Sequence, residues 1–200
     1  GCIPSFLGYG GFPASICVSV NEEVVHGIPS KKRILHEGDI VSMDAGVIYK
    51  GYHSDAARTV GVGEISKEAQ QLIEVTKQSF FTGIQFAKEG CHLHEISNAI
   101  ADYNEKHGYG VIRDLVGHGI GTKLHEDPEI PNFRQERRGI KLYEGMTLAI
   151  EPMVAMGDWK VRCLDDDWTM VTTDHSLTAH YENTVLVTKN GPEILSLVKE

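Results

Sequence analysis

Hydrophobic and polar residues alternate along residues 40–49 and again along residues 52–62, with only a Lys-Gly pair between the two stretches. Alternation with a period of two is typical of β-strands, and a two-residue connection containing glycine is typical of a tight hairpin turn. We therefore predict one β-hairpin in which Tyr49 pairs with Tyr52. The same register places Asp44 opposite Ala57.

Apolar residues at helical spacing follow the hairpin. Ser66 is suited to cap a first helix that runs to about Glu89, where Gly90 stops it. Its inner face is predicted to comprise Ala69, Leu72, Ile73, Phe80, Ile84 and Ala87. A second helix is predicted from about His92–Lys106, with Gly108 as its C-terminal stop. Its inner side is predicted to carry Leu93, Ile96, Ile100 and Tyr103.

The remaining segments are rich in residues that favour strands, apart from a Gly/Pro-rich loop at Gly8–Pro13. Short strands are predicted at Ile16–Val20, Val111–Val116, Thr147–Val154, Thr169–Thr173, Thr178–Thr188 and Glu193–Leu197. Two helices set among antiparallel strands, without a strand-helix-strand rhythm, indicate an α+β fold. The length of 200 residues suits a single domain that covers residues 1–200.

The composition excludes several classes of protein. The formal net charge is −9, and the densest basic cluster, Lys31-Lys32-Arg33, is predicted to be a solvated turn, so nucleic acid is not expected as a direct substrate. No apolar run approaches the roughly 20 residues that span a bilayer, and no signal peptide is visible, so we expect no membrane association. The scattered cysteines form no C-x-x-C pair, which favours reduced thiols in a cytoplasmic protein.

The predicted hairpin carries two acidic residues on one face. Asp44 and Asp55 become diagonal neighbours across the strands, with Cα atoms roughly 7–8 Å apart. Carboxylates at that range can converge on metal ions, although they would repel each other if left bare. The alternative is a solvated acidic face, since the opposite face is apolar and carries Val41, Met43, Ala45 and Val47. Taken alone, the hairpin favours this alternative.

Further candidates occur later in the chain. Glu151 and Glu182 are lone carboxylates in otherwise apolar or strand-forming runs, TLAIEPMV and AHYENTVLV, and each is either the polar face of a strand or a buried group that requires a partner. His118 and His125 lie seven residues apart around glycines, so only a bend that glycine permits could bring them together. His26 precedes a Gly/Pro turn and could project into the same cleft. Any one of these histidines could instead be purely structural.

The ordered motifs resemble those of the bacterial type I methionine aminopeptidases over nearly the whole chain. The matching stretches are N-E-E-V-V-H-G-I-P, D-I-V-S-M-D followed by a second Asp, G-H-G-I-G-x-x-x-H-E, I-E-P-M and Y-E. The resemblance implies a pseudo-twofold "pita-bread" fold, with an antiparallel sheet and flanking helices. It implies removal of the N-terminal methionine from nascent proteins and peptides, preferentially before a small second residue, by two-metal hydrolysis of the peptide bond.

The resemblance assigns the metal ligands by position. Asp44 would chelate one ion, Asp55 and Glu182 would bridge both, and His118 and Glu151 would complete the shell of the second. An oxygen-rich set of this kind suits two divalent ions of Mn, Fe(II) or Co and is also usable by Zn.

The resemblance also assigns groups that act on the substrate. His125 would hydrogen-bond the scissile amide, His26 would stabilise the intermediate or serve the leaving amine, and Glu151 would shuttle protons. The pocket for the methionine side chain would be formed by Phe6, Tyr9, Cys17, Leu124 and Trp168. Such an apolar, aromatic and polarisable lining suits a thioether.

Three features depart from the family pattern. Full-length members begin several dozen residues earlier, with a helical segment that we expect to be lacking here and that contains none of the candidate ligands. Leu124 stands where Phe is frequent and Phe6 where other members have Cys, which reshapes the pocket entrance. Asn183 follows Glu182 where His is common, which alters the surroundings of the ions.

Two alternative functions remain open. A prolidase or aminopeptidase P type enzyme, which cleaves beside proline, uses the same five ligands, but such enzymes usually carry an additional N-terminal domain and the predicted pocket argues against them. A non-catalytic binding homologue would be expected to lose ligands, and all five are present here. We expect a monomer in the cytoplasm whose substrates are nascent polypeptide N-termini and which associates with the ribosome.

Overall fold

The computed structural model describes residues 1–197. It contains helices α1 (Lys67–Gly83) and α2 (Leu93–Lys106) set among short strands and one long hairpin. The strands are β1 (Ile3–Pro4), β2 (Cys17–Val20), β3 (Glu23–Val25), β4 (Ile40–Tyr49), β5 (Tyr52–Gly61), β6 (Gly110–Val111), β7 (Gly117–Gly119), β8 (Glu126–Ile130), β9 (Thr147–Ile150), β10 (Met153–Ala155), β11 (Val161–Cys163), β12 (Met170–Thr172), β13 (Thr178–His180), β14 (Asn183–Thr188) and β15 (Gly191–Ile194). Among the described residues, neither helix is long and apolar enough to cross a membrane.

The long hairpin has the predicted register. Tyr49 pairs with Tyr52 and Asp44 pairs with Ala57. The turn residues Lys50 and Gly51 have φ angles of 51° and 84°, and positive values at both positions match the right-handed twist of the flanking strands. β4 also pairs with β1 and β2, so the hairpin forms the centre of an antiparallel sheet.

The acidic face of the hairpin points into the protein, so the alternative of a solvated acidic face is wrong. Asp55 is only 4% exposed, whereas Met43 and Val47 on the opposite face are 42% and 39% exposed. The reason is tertiary, because residues of β13, β14 and the turn between them pack against the inner face of β5. Alternation alone does not say which face is covered.

The helices form as predicted, with corrections at their ends. Ser66 caps α1 by accepting a hydrogen bond from the amide of Ala69 at 3.0 Å. The α-helix ends at Gly83 and not at Glu89, because the chain tightens there into a 3-10 turn, Ile84–Phe86. A side chain at Gly83 would clash with Ile100 of α2, so this glycine permits close packing of the helices.

The inner faces of the two helices are mostly as predicted. All of the predicted inner residues are buried except Ile73 and Tyr103, which are only partly covered. The core of this half of the molecule packs α1 and α2 against the sheet that contains β9 and β14. Its largest fully buried side chains include Phe80, Ile96, Ile100, Leu148 and Ile150.

Two predicted long strands are each divided in two. Thr147–Val154 breaks at Glu151 and Pro152, and Thr178–Thr188 breaks at Tyr181 and Glu182. β9 pairs with β14 in one sheet, whereas β10 pairs with β13 in another, so the two segments pass from one sheet to the other together at these breaks. Proline lacks a backbone donor and suits such a crossing, where strands bend to switch sheets. Glu151 and Glu182 therefore lie at a junction between sheets.

The segment around His118 differs most from prediction. The predicted strand Val111–Val116 ends at Val111, and two strands that were not predicted, β7 and β8, follow it. β7 is short and rich in glycine, and β8 contains acidic residues and a proline, so neither has the composition that strand prediction relies on. β7 is nevertheless held on both sides, by β8 and β9.

Candidate metal centre

One cavity collects the five predicted ligands. Asp44 and Asp55 enter from the hairpin, His118 enters from β7, and Glu151 and Glu182 enter from the junction between sheets. Ligand atoms of Asp55, His118 and Glu182 all lie within 4.8 Å of one another. The structure thus brings together side chains that are up to 138 positions apart in sequence, from position 44 to position 182.

Backbone hydrogen bonds join the hairpin to the Glu182 segment. The Glu182 amide donates to the carbonyl of Ala57 at 3.0 Å, and the Ala57 amide donates to the carbonyl of Glu182 at 3.4 Å. The amide of Asp55 donates to the Thr184 hydroxyl at 2.8 Å, and that hydroxyl donates to the Asp55 carbonyl at 3.0 Å. These reciprocal bonds hold Asp55 and Glu182 at a defined separation.

Arg58 reinforces the same connection from the outer side of β5. Its guanidinium donates to the carbonyl oxygens of Ala57 and Glu182 and, at 2.7 Å, to Oδ1 of Asn183. It also lies 4.2 Å from the ring centroid of Tyr181. Asn183, which departs from the family pattern, is therefore an acceptor for Arg58 and does not face the candidate ligands' cavity.

Glycines on either side position His118. A side chain at Gly119 would clash with the carbonyl of Asp127, and one at Gly117 would clash with the carbonyl of Ala149. The ladder between β7 and β8 shifts register between His118 and Gly119. As a result the His118 and His125 rings lie 4.2 Å apart between centroids, which confirms the bend that the glycine spacing predicts.

The His118 ring is oriented for coordination. Its Nδ1 lies 2.8 Å from the carbonyl oxygen of Gly119, which can only accept, so Nδ1 carries the proton. Burial lowers the pKa of His118, so the ring is neutral near pH 7. The lone pair of Nε2 is therefore free to bind a cation.

The carboxylates repel one another and are poorly solvated. Burial, followed by the neighbouring carboxylates, raises the pKa values of Asp44 and Glu182 well above their usual range. Burial also raises the pKa values of Asp55 and Glu151 to about 7. Among the described residues, Oδ1 of Asp44 is buried and finds no hydrogen-bond partner. Four carboxylates that are buried and repel one another are suited to bind divalent cations, which would supply the missing positive charge.

The other end of the cavity is apolar. Its lining consists of Phe6, Tyr9, Phe12, Cys17, Leu124 and Trp168. Every pocket residue predicted from sequence is present, and Phe12 is an addition that lies edge-on to Trp168 with ring centroids 5.0 Å apart. Cys17 pairs directly with Asp44 across β2 and β4, so the pocket begins beside the candidate ligands. Burial raises the pKa of Cys17, so it remains a thiol.

Two more predicted histidines lie at the cavity. Nδ1 of His125 is 2.7 Å from the Tyr9 hydroxyl, and the His26 ring lies 6.4 Å from that of Trp168 between centroids. Desolvation lowers the pKa values of both His26 and His125, so both are neutral near pH 7. The cavity encloses about 130 Å³. This is similar to a cavity of about 150 Å³ that binds benzene, so it suits a single side chain.

Sequence reasoning missed two residues that support the ligands, Arg58 and His180. Arg58 lies in an alternating strand, where a cation is ordinarily a solvated residue. His180 is only 1% exposed and lies two residues before Glu182. A histidine inside the apolar run that contains Glu182 was the available signal, but Glu151, 3.5 Å from its Nε2, belongs to a distant part of the sequence.

The sequence and the fold are similar to those of known metallopeptidases. Residues 5–189 match metallopeptidase family M24. The chain is 63% identical to a methionine aminopeptidase of Clostridium acetobutylicum over 98% of its own length and 78% of the relative, and 51% identical to methionine aminopeptidase 1 of Bacillus subtilis over 99% and 79%. The crystal structure of a methionine aminopeptidase from Thermotoga maritima superposes with a TM-score of 0.96 at 50% identity, covering 98% of this chain and 79% of that one.

The electrostatics of the carboxylates predict a pH-dependent stability without metal. A carboxyl group whose pKa is raised by folding contributes its full stabilisation at pH values below its pKa in the unfolded chain. This contribution is lost as the pH rises through the pKa of the group in the folded protein. For Asp55 and Glu151 this window extends from about pH 4 to about pH 7. We expect the Tm of chelator-treated protein, measured by calorimetry, to fall between pH 5 and pH 7.5.

Adding Mn²⁺ at pH 7.5 is the matching measurement. An ion present at one hundred times its Kd stabilises by about 2.7 kcal/mol, which corresponds to a rise in Tm of about 5–10 °C for a chain of this size. A chelated protein that is equally stable at pH 5 and pH 7.5, and that Mn²⁺ leaves unchanged, would contradict the charge balance described above.

Removal of the Arg58 guanidinium should loosen the junction. We expect Arg58→Ala to lower the free energy of unfolding by about 1.5–3 kcal/mol, because hydrogen bonds from a charged group are lost. It should also weaken Mn²⁺ binding, because the backbone of Glu182 then keeps only its hydrogen bonds to Ala57. Arg134→Ala is the control, since Arg134 makes only exposed ion pairs with Asp102 and Glu105 and should change stability by less than about 1 kcal/mol. Equal effects of the two substitutions in urea unfolding would refute this role.

Proposed function

The chain belongs to metallopeptidase family M24, and we propose on that basis that it removes the N-terminal methionine from nascent proteins and peptides, preferentially before a small second residue. Relatives at 63% and 51% identity carry the name methionine aminopeptidase. The observation that carries the proposal is the two-ended cavity, with carboxylates at one end and an apolar pocket for one side chain at the other. This arrangement suits hydrolysis directly after a single apolar residue.

We assign the two ends separate tasks. Asp44, Asp55, His118, Glu151 and Glu182 would hold two divalent ions of Mn, Fe(II), Co or Zn. Such ions, when bound, polarise the scissile carbonyl and lower the pKa of water. The fit of the site to cations is supported by the unpartnered Asp44 oxygen and by the mutual repulsion of the carboxylates.

Glu151 is the residue best suited to move protons. Its carboxylate lines the cavity among the other candidate ligands, and a carboxylate in that position can accept a proton and return it. A Glu151 carboxylate oxygen would take the proton of the attacking water and then deliver it to the leaving nitrogen. The water oxygen bonds to the carbonyl carbon, the C–N bond breaks, and the nitrogen receives the transferred proton. The second proton of the water stays on the new carboxyl group until that group ionises, which leaves a carboxylate and an amine.

The two rim histidines are suited to bind the peptide group. If the Tyr9 hydroxyl donates to Nδ1 of His125, the proton of the neutral ring lies on Nε2 and points away from Tyr9. That N–H would donate to the scissile peptide, and His26 would stabilise the developing charge or the leaving amine. A neutral imidazole can fill both roles, because it keeps one N–H donor and one acceptor nitrogen, and desolvation favours the neutral state at these positions.

The pocket composition favours methionine. A thioether is polarisable and unbranched, so it packs well among Phe6, Phe12 and Trp168, whereas a charged side chain would lose its hydration there. Leu124 is buried in the same wall and offers an aliphatic surface where Phe is frequent. The wall is therefore continuous despite the two departures from the family pattern.

The alternatives are less well supported. A prolidase from Pyrococcus horikoshii shares the fold, with a TM-score of 0.73 at 26% identity, but this chain covers only 48% of it. A non-catalytic homologue is disfavoured because all five candidate ligands line one cavity.

Our proposal includes action in the cytoplasm and association with the ribosome, since nascent chains emerge from cytoplasmic ribosomes. It also includes a monomeric state.

Peptide turnover tests the proposed specificity. We expect the Mn²⁺-loaded protein to cleave Met-Ala-Ser and not Ala-Pro-Ala, because the pocket accepts one unbranched apolar side chain. Chelation should abolish turnover and added Mn²⁺ should restore it. The products are measured by chromatography, and cleavage of the proline peptide alone would show that the prolidase alternative is correct.

Substitution of His125 tests its assignment to the substrate. We expect His125→Ala to lower kcat by about 10²–10⁴-fold, the range typical of a positioned proton donor, while Mn²⁺ affinity measured by calorimetry stays within about twofold. Tyr9→Phe is the companion variant, since it keeps the ring and removes only the hydrogen bond to His125, and it should lower kcat less. Loss of Mn²⁺ binding in His125→Ala would instead make His125 a metal ligand.

A further inference from the structure

The Glu151 carboxylate lies between two imidazole rings. Its Oε1 is 3.6 Å from Nε2 of His118, and its Oε2 is 3.5 Å from Nε2 of His180. His118 cannot donate from Nε2, because its proton is on Nδ1, bonded to Gly119. Of the two rings, only that of His180 is free to donate a hydrogen bond to Glu151.

The His180 ring is buried, and its hydrogen-bonding capacity is unused within the part of the chain that the structure describes. It is 1% exposed, and within residues 1–197 neither ring nitrogen has a hydrogen-bond partner. Its backbone is fully engaged, since its amide donates to the Thr59 hydroxyl at 2.8 Å and its carbonyl accepts from the same hydroxyl at 3.0 Å. A buried donor without a partner is costly, so the ring requires an acceptor, and a Glu151 oxygen lies within a small rotation of it.

The position of His180 excludes direct contact with the substrate. Its backbone pairs with Met153 across β13 and β10, and its Nε2 lies 3.5 Å from Oε2 of Glu151. The residues that line the cavity include Glu151 and exclude His180. An effect of His180 on the reaction is therefore indirect, and the Glu151 carboxylate, 3.5 Å from its Nε2, is the group best placed to transmit it.

We propose that His180 is a positioning residue that donates its Nε2–H to Oε2 of Glu151 and so directs Oε1 toward the cation site. The proposal rests on the proposed function, since it assumes that Glu151 is a metal ligand. Oε1 is the Glu151 oxygen on the His118 side. A hydrogen bond from His180 to Oε2 would therefore leave Oε1 and the lone pair of His118 directed at the same cation site. Groups that orient metal ligands in this way typically contribute about 10–100-fold to metal affinity.

The alternative is that His180 only fills space. His180→Phe keeps an aromatic ring of similar shape and removes the donor, whereas His180→Gln keeps a donor at about the reach of Nε2. His180→Asn carries its amide nearer the position of Nδ1, where no Glu151 oxygen lies. A donor role therefore predicts that Gln rescues and that Phe and Asn do not.

Calorimetric titration of the chelated protein with Mn²⁺ at pH 7.5 provides the test. We expect Phe and Asn to weaken Mn²⁺ binding by about 10–100-fold and Gln to stay within about threefold of the unsubstituted protein. Phe and Asn should also lower kcat on Met-Ala-Ser more than they change KM. His94→Gln is the matched control, because Nδ1 of His94 is likewise buried and unpartnered but lies on α2, outside the cavity.

The outcomes separate the two proposals. If the unsubstituted protein neither binds Mn²⁺ nor cleaves the peptide, the proposed function fails and the role of His180 falls with it. If it does both, and His180→Phe binds Mn²⁺ as tightly with an unchanged Tm, only the role of His180 is refuted. Failure of Gln to rescue, in a variant whose Tm is retained, would assign His180 to packing. If Phe does not fold, the contrast between Gln and Asn decides.

Discussion

Four acidic side chains that share one largely buried cavity are the constraint on which the rest of the structure depends. Burial alone would raise their pKa values, and each ionised carboxylate raises those of its neighbours further. The charge of Arg58 lowers the pKa of Glu182 only in part, and its guanidinium donates to backbone carbonyls and to Asn183 and not to a carboxylate. The cavity therefore holds more negative charge than its own side chains balance, and a divalent cation is the ordinary solution.

The fold supplies these side chains from rigid elements. The hairpin offers two carboxylates from the same face of paired strands, at a separation that its register sets. Glu151 and Glu182 come from the point where two paired segments of the chain leave one sheet and enter another. At such a break a side chain is released from strict alternation, so both can turn inward. Ligands held by sheets in this way are positioned more precisely than ligands on loops.

Much of this arrangement could be predicted from the sequence, and the limit is set by contacts distant along the chain. The hairpin register is local, so the relation of Asp44 to Asp55 follows from the turn alone. The side of the hairpin that is buried depends on β13 and β14, more than 100 residues later, and alternation could not reveal it. β7 and β8 escaped prediction because glycines and acidic residues make up much of them. Arg58 and His180 were missed because each acts on a group in another strand.

The same burial that raises the carboxyl pKa values lowers those of the histidines around them, and the two effects act together. Desolvation brings the pKa of His180 to about 4 and lowers those of His26 and His118. A protonated imidazole would pair with a carboxylate and reduce the charge that draws a cation. Because the rings stay neutral, a divalent ion competes only with protons on the carboxylates themselves. A neutral ring also keeps one lone pair and one N–H, and at His118 the carbonyl of Gly119, which can only accept, decides which nitrogen carries the proton. The proton position on His118 is thus set by its neighbour before any substrate arrives.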